Sequence, residues 1–138
     1  MLARREHSRQ ELQQKLTVRG YADSEITAVL DELANAGLQS DTRYAEAYVN
    51  QRTEKGYGPL YIIQALRSRG VDAAVTDQFL DLNDPDWSRR AADVLARRFG
   101  VVDRRDRKAY ARALRFMQQR GFSAAHVRHA LDDDFYEE

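Results

Sequence analysis

Arg19-Gly20-Tyr21, Arg69-Gly70-Val71 and Arg120-Gly121-Phe122 are three versions of one phrase, with glycines 50 and then 51 positions apart. Around each glycine the same apolar ladder returns. Leu16, Leu66 and Met117 stand four positions before it, Leu12, Ile62 and Ala113 eight before, and Leu30, Leu80 and Leu131 ten after. A glycine after an apolar run of helical period suits a helix C′ position, where positive φ strains any residue with a Cβ. Each Arg-Gly therefore closes a helix, and a polar residue soon after it (Asp23 or Ser24, Asp72, Ser123) is placed to open the next. A helix-turn-helix step made three times predicts an array, because a unit this short buries its apolar face only against a neighbour.

The other punctuation marks the remaining helices. Pro59 and Pro85 follow Gly58 and Asp84, residues suited to cap duty, and fit a first helical turn; Gly20, Gly37, Gly56, Gly70, Gly100 and Gly121 read as helix ends. Helices are expected over 8–19, 24–36, 41–55, 59–69, 72–82, 85–99, 103–120 and 123–136, with no segment alternating like a strand. The expected fold is all-α: tandem three-helix repeats, elongated and curved, divided as 1–39 (two helices, lacking the leading one), 40–83 and 84–138. Ser8 and Glu11 have the spacing of a capping box. Tyr44 and Tyr48, four apart, read as core.

Composition narrows the function. The chain has 138 residues, no cysteine and zero formal net charge, so neither disulfides nor thiolate metal sites hold it together. No apolar stretch approaches the roughly 20 residues of a membrane helix, and no signal-peptide pattern opens the chain, so no membrane partner and a cytoplasmic location are expected. Ser-His-Asp order, a phosphate loop with its lysine and HExxH are all missing, so no enzyme activity and no cofactor are expected. His126 and His129, with Asp133 a turn beyond, make too incomplete a shell for a metal, and solvated histidines are the plainer reading.

Charge is segregated rather than absent. Residues 97–128 hold ten Lys or Arg against Asp103 and Asp106, whereas 72–86 holds five acids and no base. Nineteen of the 22 basic residues are arginine, the side chain suited to bidentate phosphate or carboxylate contacts and to stacking. On a helix over 103–120, Arg105, Lys108, Arg112 and Arg115 would share one face, opposite Tyr110, Ala113, Leu114 and Met117. A solvated face is the ordinary meaning of such a stripe. The lack of interleaved acids at i+4 spacing favours an anionic partner instead, either a nucleic-acid backbone or an acidic protein surface.

Lys55-Gly56-Tyr57-Gly58-Pro59, followed by Ile62 and Leu66 and preceded by the run from Asp41 to Val49 and by Arg52, resembles the central signature of the RecX family of recombinase regulators. Arg5-Glu6-His7-Ser8 with Glu11-Leu12 and Lys15-Leu16 resembles that family's first motif. The resemblance implies a regulatory protein that binds the RecA recombinase, especially its filament on single-stranded DNA, and restrains filament growth, ATP hydrolysis, strand exchange and co-protease activity. The expected contact residues are Arg105, Lys108, Arg112 and Arg115, then Arg52, Lys55 and Tyr57 near the signature turn. Weak DNA binding through the stripe is part of the expectation. The alternative is a helical nucleic-acid-binding module acting without RecA, against which stand the acidic helices after the first two Arg-Gly turns (Asp23, Glu25, Asp31 and Glu32; Asp72, Asp77 and Asp81). A plain peptide-binding scaffold is a third possibility and leaves the stripe unexplained.

Overall fold

The computed structural model describes residues 5–132, and among them it holds eight helices and no strand. They are α1 (Arg9–Val18), α2 (Asp23–Asn35), α3 (Asp41–Glu54), α4 (Pro59–Ser68), α5 (Ala73–Asp77), α6 (Asp86–Phe99), α7 (Arg107–Gln119) and α8 (Ala124–Asp132). The expected end at 136 for the last helix lies outside the described residues. All six glycines read as helix ends have positive φ, from 70° to 97°.

The described residues up to Asn50 pack with Gln64–Leu80 as one compact unit, and Gln51–Ile63 pack with those from Asp81 onward as a second. In the first unit, Leu12, Ile26 and Leu30 form a buried cluster between α1 and α2, with Leu16 and Leu33 against it. Tyr44 and Tyr48 are 4% and 6% exposed with ring centroids 5.9 Å apart, which makes them core as their spacing predicts. In the second unit α6, α7 and α8 enclose Trp87, Ala91, Leu95, Ala113, Met117, Phe122 and Val127, with Trp87 edge-on to Phe122 at 6.4 Å. The repeat columns are thus the core: Leu12, Ile62 and Ala113 are all buried, as are Leu66 and Met117.

The α1 cap is the expected capping box. Ser8 Oγ accepts from the Glu11 amide at 3.1 Å, and Glu11 Oε1 accepts from the Ser8 amide at 3.0 Å. Glu11 also pairs with Arg5 at 3.2 Å and with Arg69 at 3.8 Å, so the segment resembling the family's first motif ties the start of α1 to the end of α4. Beside it, the Arg9 amide donates to Asp41 at the first residue of α3 at 2.9 Å.

Three local expectations are corrected. Neither Asp23 nor Ser24 caps α2: its N-cap is Ala22, whose amide donates to Glu25 at 3.0 Å. The helix expected over 72–82 ends at Asp77, after which the Gln78 and Phe79 amides bond three residues back in tightened turns. Farther on, Trp87 Nε1 donates to Asp81 O at 2.9 Å and Asp81 Oδ1 accepts from the Asn83 amide, which fixes a turn where the helix was expected to run on. Finally, α7 starts at Arg107 rather than at 103, because Asp106 caps it by accepting from the Ala109 amide at 3.1 Å.

Candidate partner interface

The signature turn of residues 55–59 closes α3 and opens α4, and Gly58 holds its place. Gly58 is the one glycine without positive φ. A Cβ built on it would lie 2.5 Å from the carbonyl carbon and oxygen of Gly121, too close for any other residue. The approach allows two backbone bonds, from Gly58 N to Arg120 O at 2.7 Å and from Leu60 N to Gly121 O at 2.9 Å. A helix start with unpaired amides thereby meets a helix end with unpaired carbonyls, and each satisfies the other.

That junction organises a line of arginines and rings. The Tyr57 ring stacks on Tyr61 at 4.3 Å and carries two guanidinium groups, Arg120 at 4.8 Å and Arg52 at 5.4 Å. Arg120 also lies 5.2 Å from the Phe116 ring and donates to Lys55 O at 3.4 Å. Arg98 continues the line, 4.9 Å from Phe116 and 6.0 Å from Phe99, and those two rings meet edge-to-face at 5.5 Å. Each cation–ring contact contributes about 0.5–1 kcal/mol at such partly exposed positions. A guanidinium positioned against a ring loses less side-chain freedom when it goes on to meet a carboxylate or phosphate.

The expected contact residues fall into three places. Arg52, Lys55 and Tyr57 come together at the signature turn: Tyr57 is half-buried under its two arginines, and the Lys55 side chain is exposed. Lys108, Arg112 and Arg115 are exposed on one face of α7, and none forms an ion pair with another described residue. Arg105 does not share that face. It lies in the turn before Asp106, its amide bonded to Asp103 Oδ1 at 2.9 Å and its side chain 3.9 Å from the same carboxylate, so the helical stripe has three cations rather than four.

Arg98, Arg120, Phe99 and Phe116 were not singled out as contact residues in the sequence. Phe116 and Arg120 are i and i+4 on one helix, a pairing open to view; Arg98 and Phe99 join only through the packing of α6 on α7. His126 does other work than expected. Ser123 Oγ accepts from the His126 amide at 3.0 Å and His126 Nδ1 accepts from the Ser123 amide at 3.2 Å, a reciprocal cap on α8. His7 is 2% exposed beside the α1 cap, where burial first, then the charges of Arg5 and Lys15, lower its pKa. Among the described residues, no group of three or more metal-ligating side chains comes together, and no helix is long and apolar enough to cross a membrane.

Fold and surface together define an all-helical repeat protein with an arginine-rich face. Residues 1–33, 40–80 and 86–131 match the family models for the first, second and third three-helix domains of RecX. The regulatory protein RecX of Halorhodospira halophila is 45% identical over 130 residues, 94% of this chain and 81% of that protein. RecX of Chromohalobacter salexigens is 44% identical over 131 residues, covering 95% and 86%. A crystal structure of regulatory protein RecX superposes with a TM-score of 0.80 at 23% identity, over 96% of this chain and 68% of that one, and RecX from Lactobacillus salivarius with 0.75. The chain belongs to the RecX family of regulatory proteins.

Proposed function

We propose that this protein binds the RecA recombinase and its filament on single-stranded DNA in the cytoplasm, and that binding inhibits recombinase, ATPase and co-protease activity without chemistry of its own. The observation that carries the reading is the conjunction of family membership with the Arg52-Tyr57-Arg120-Phe116-Arg98 line, an anion-recognising face built around the family's signature turn. The repeats 1–39, 40–83 and 84–138 act as successive contact units, with the second and third supplying this face. Arg52, Lys55 and Tyr57 contact the filament directly. Lys108, Arg112 and Arg115, with Arg105 beside them, face acidic protein or DNA phosphates. Inhibition follows from occupancy: a bound chain obstructs subunit addition or the incoming duplex and favours the filament state it fits best.

The alternative, a nucleic-acid-binding module independent of RecA, draws on the exposed cations of α7. A pull-down against RecA filaments on single-stranded DNA, beside the same DNA and duplex DNA alone, separates the two. Retention by the filament well above retention by either DNA is expected. Equal retention by bare DNA would transfer the function to the alternative.

A further inference from the structure

Each Arg-Gly turn is built alike. Gly20 N bonds to Thr17 O and Tyr21 N to Leu16 O; Gly70 and Val71 make the same pair with Arg67 and Leu66, and Gly121 and Phe122 with Gln118 and Met117. After α7 and after α4, the first turn of another helix sits on this structure. A Cβ on Gly121 would strike Tyr61, in the first turn of α4, whose Gly58 and Leu60 amides bond to the carbonyls of Arg120 and Gly121. A Cβ on Gly70 would strike Gln10, in the first turn of α1, and Gln10 Nε2 donates to Ser68 O at 2.9 Å. In both cases the struck residue precedes the glycine by 60 positions.

The turn after α1 has the same backbone, and among the described residues none covers it. No described atom lies within 4 Å of a Cβ on Gly20. Tyr21 is 52% exposed, whereas its counterparts Val71 and Phe122 are 5% and 1% exposed. Val18, 87% exposed, stands where the covered copies carry Ser68 and Gln119, so the copy that no described residue covers carries an apolar side chain at that position. Beside it opens a cleft of about 460 Å³ lined by Glu11, Gln14, Lys15, Val18 and Arg19.

We propose that Arg19-Gly20-Tyr21 with Val18 is a vacant copy of this docking step and receives the amino-terminal turn of a helix from a partner protein. The occupant is defined by what fills the other two copies: a helix start, opened by glycine or another small residue, that bonds to the turn's carbonyls through its first amides, as at Gly121, or through a first-turn side chain, as at Gly70. An apolar side chain in its first turn packs on Val18 and Tyr21. The inference is independent of RecA as partner, since it rests on the internal comparison of three turns.

The test uses the full chain, isotope-labelled for amide NMR, titrated with a peptide spanning residues 57–69, the segment that fills the equivalent position at Gly121. Saturable shifts are expected at the amides of residues 18–23. The double variant Val18→Asp, Tyr21→Asp changes two exposed side chains, keeps the helical fold, and should weaken the peptide by at least about tenfold. A peptide carrying Gly58→Ala should weaken similarly, while Leu38→Asp, also at an exposed apolar position, should bind as the unaltered chain does. Absence of saturable shifts at residues 18–23, or equal affinity for the double variant, overturns the proposal. So do shifts at these amides that follow protein concentration without peptide, because the occupant is then a second copy of this chain.

Discussion

At Gly58 the backbone comes so close to Gly121 that the side chain must be a hydrogen, while at Gly121 and Gly20 the φ angles of 97° and 91° add a conformational demand. These positions separate two costs of one substitution. Gly20→Ala, with open space around it, should destabilise by about 1 kcal/mol through backbone strain alone. Gly121→Ala adds a collision with Tyr61, so it should cost about 1–3 kcal/mol more, and Gly58→Ala should show a collision cost by itself, against the Gly121 and Phe122 backbone. Urea denaturation of the three variants checks the order, and equal losses at Gly20 and Gly121 would refute the packing between turns. The positive-φ glycines were legible in the sequence because their cause is local, an apolar helix ending. Gly58 was legible only as a cap, because its cause is a residue of another helix. The arginines divide likewise: Arg69 stacks on Tyr48 at 4.9 Å and Arg120 on two rings, partners that no helix-end rule foretells.

At the scale of single elements, the α1 cap and α7 carry predictions of different kinds. Burial lowers the His7 pKa, so between its folded value and the ordinary 6.5 the unfolded chain binds more protons. Its stabilising share is complete above 6.5 and is lost as pH falls through that window. For Glu11, burial would raise the pKa, but the Arg5 side chain and the Ser8 amide outweigh it, leaving it below the ordinary 4.5. That share persists above 4.5 and is lost in more acid solution. Unfolding free energy measured across this range should decline in two stages, and His7→Gln should flatten only the first. A variant with an undiminished first stage would remove His7 from the explanation. On α7, Lys108→Ala, Arg112→Ala and Arg115→Ala together should leave stability within about 0.5 kcal/mol of the parent, since all three are exposed. If they face single-stranded phosphates, the logarithmic salt slope of binding drops by about two, at about 0.7 per phosphate. An unchanged slope would assign them to solvent. The capping box of α1 was legible because Ser8 and Glu11 are three apart. The start of α7 was not, because Asp103 and Asp106 are both competent caps and only Asp106 closes the bond to Ala109.

For the whole molecule, the thrice-repeated phrase gave the helices and the buried columns, because every copy pays its local energy in the same currency of helix end and apolar ladder. The candidate surface was legible in part. Arg52, Lys55 and Tyr57 were drawn by the signature turn, whereas Arg98 and Phe99 enter through the packing of α6 on α7. The copies differ in what covers them: the second and third turns carry helix starts, and no described atom lies on the first. The measurement that bears most directly on the proposed role is RecA's DNA-dependent ATP hydrolysis, followed as this protein is added to filaments on single-stranded DNA. The rate should fall as binding saturates, and Arg52→Ala with Tyr57→Ala and Arg120→Ala should shift the inhibition to at least about tenfold higher concentration. Unchanged hydrolysis at saturated binding would contradict the proposed inhibition.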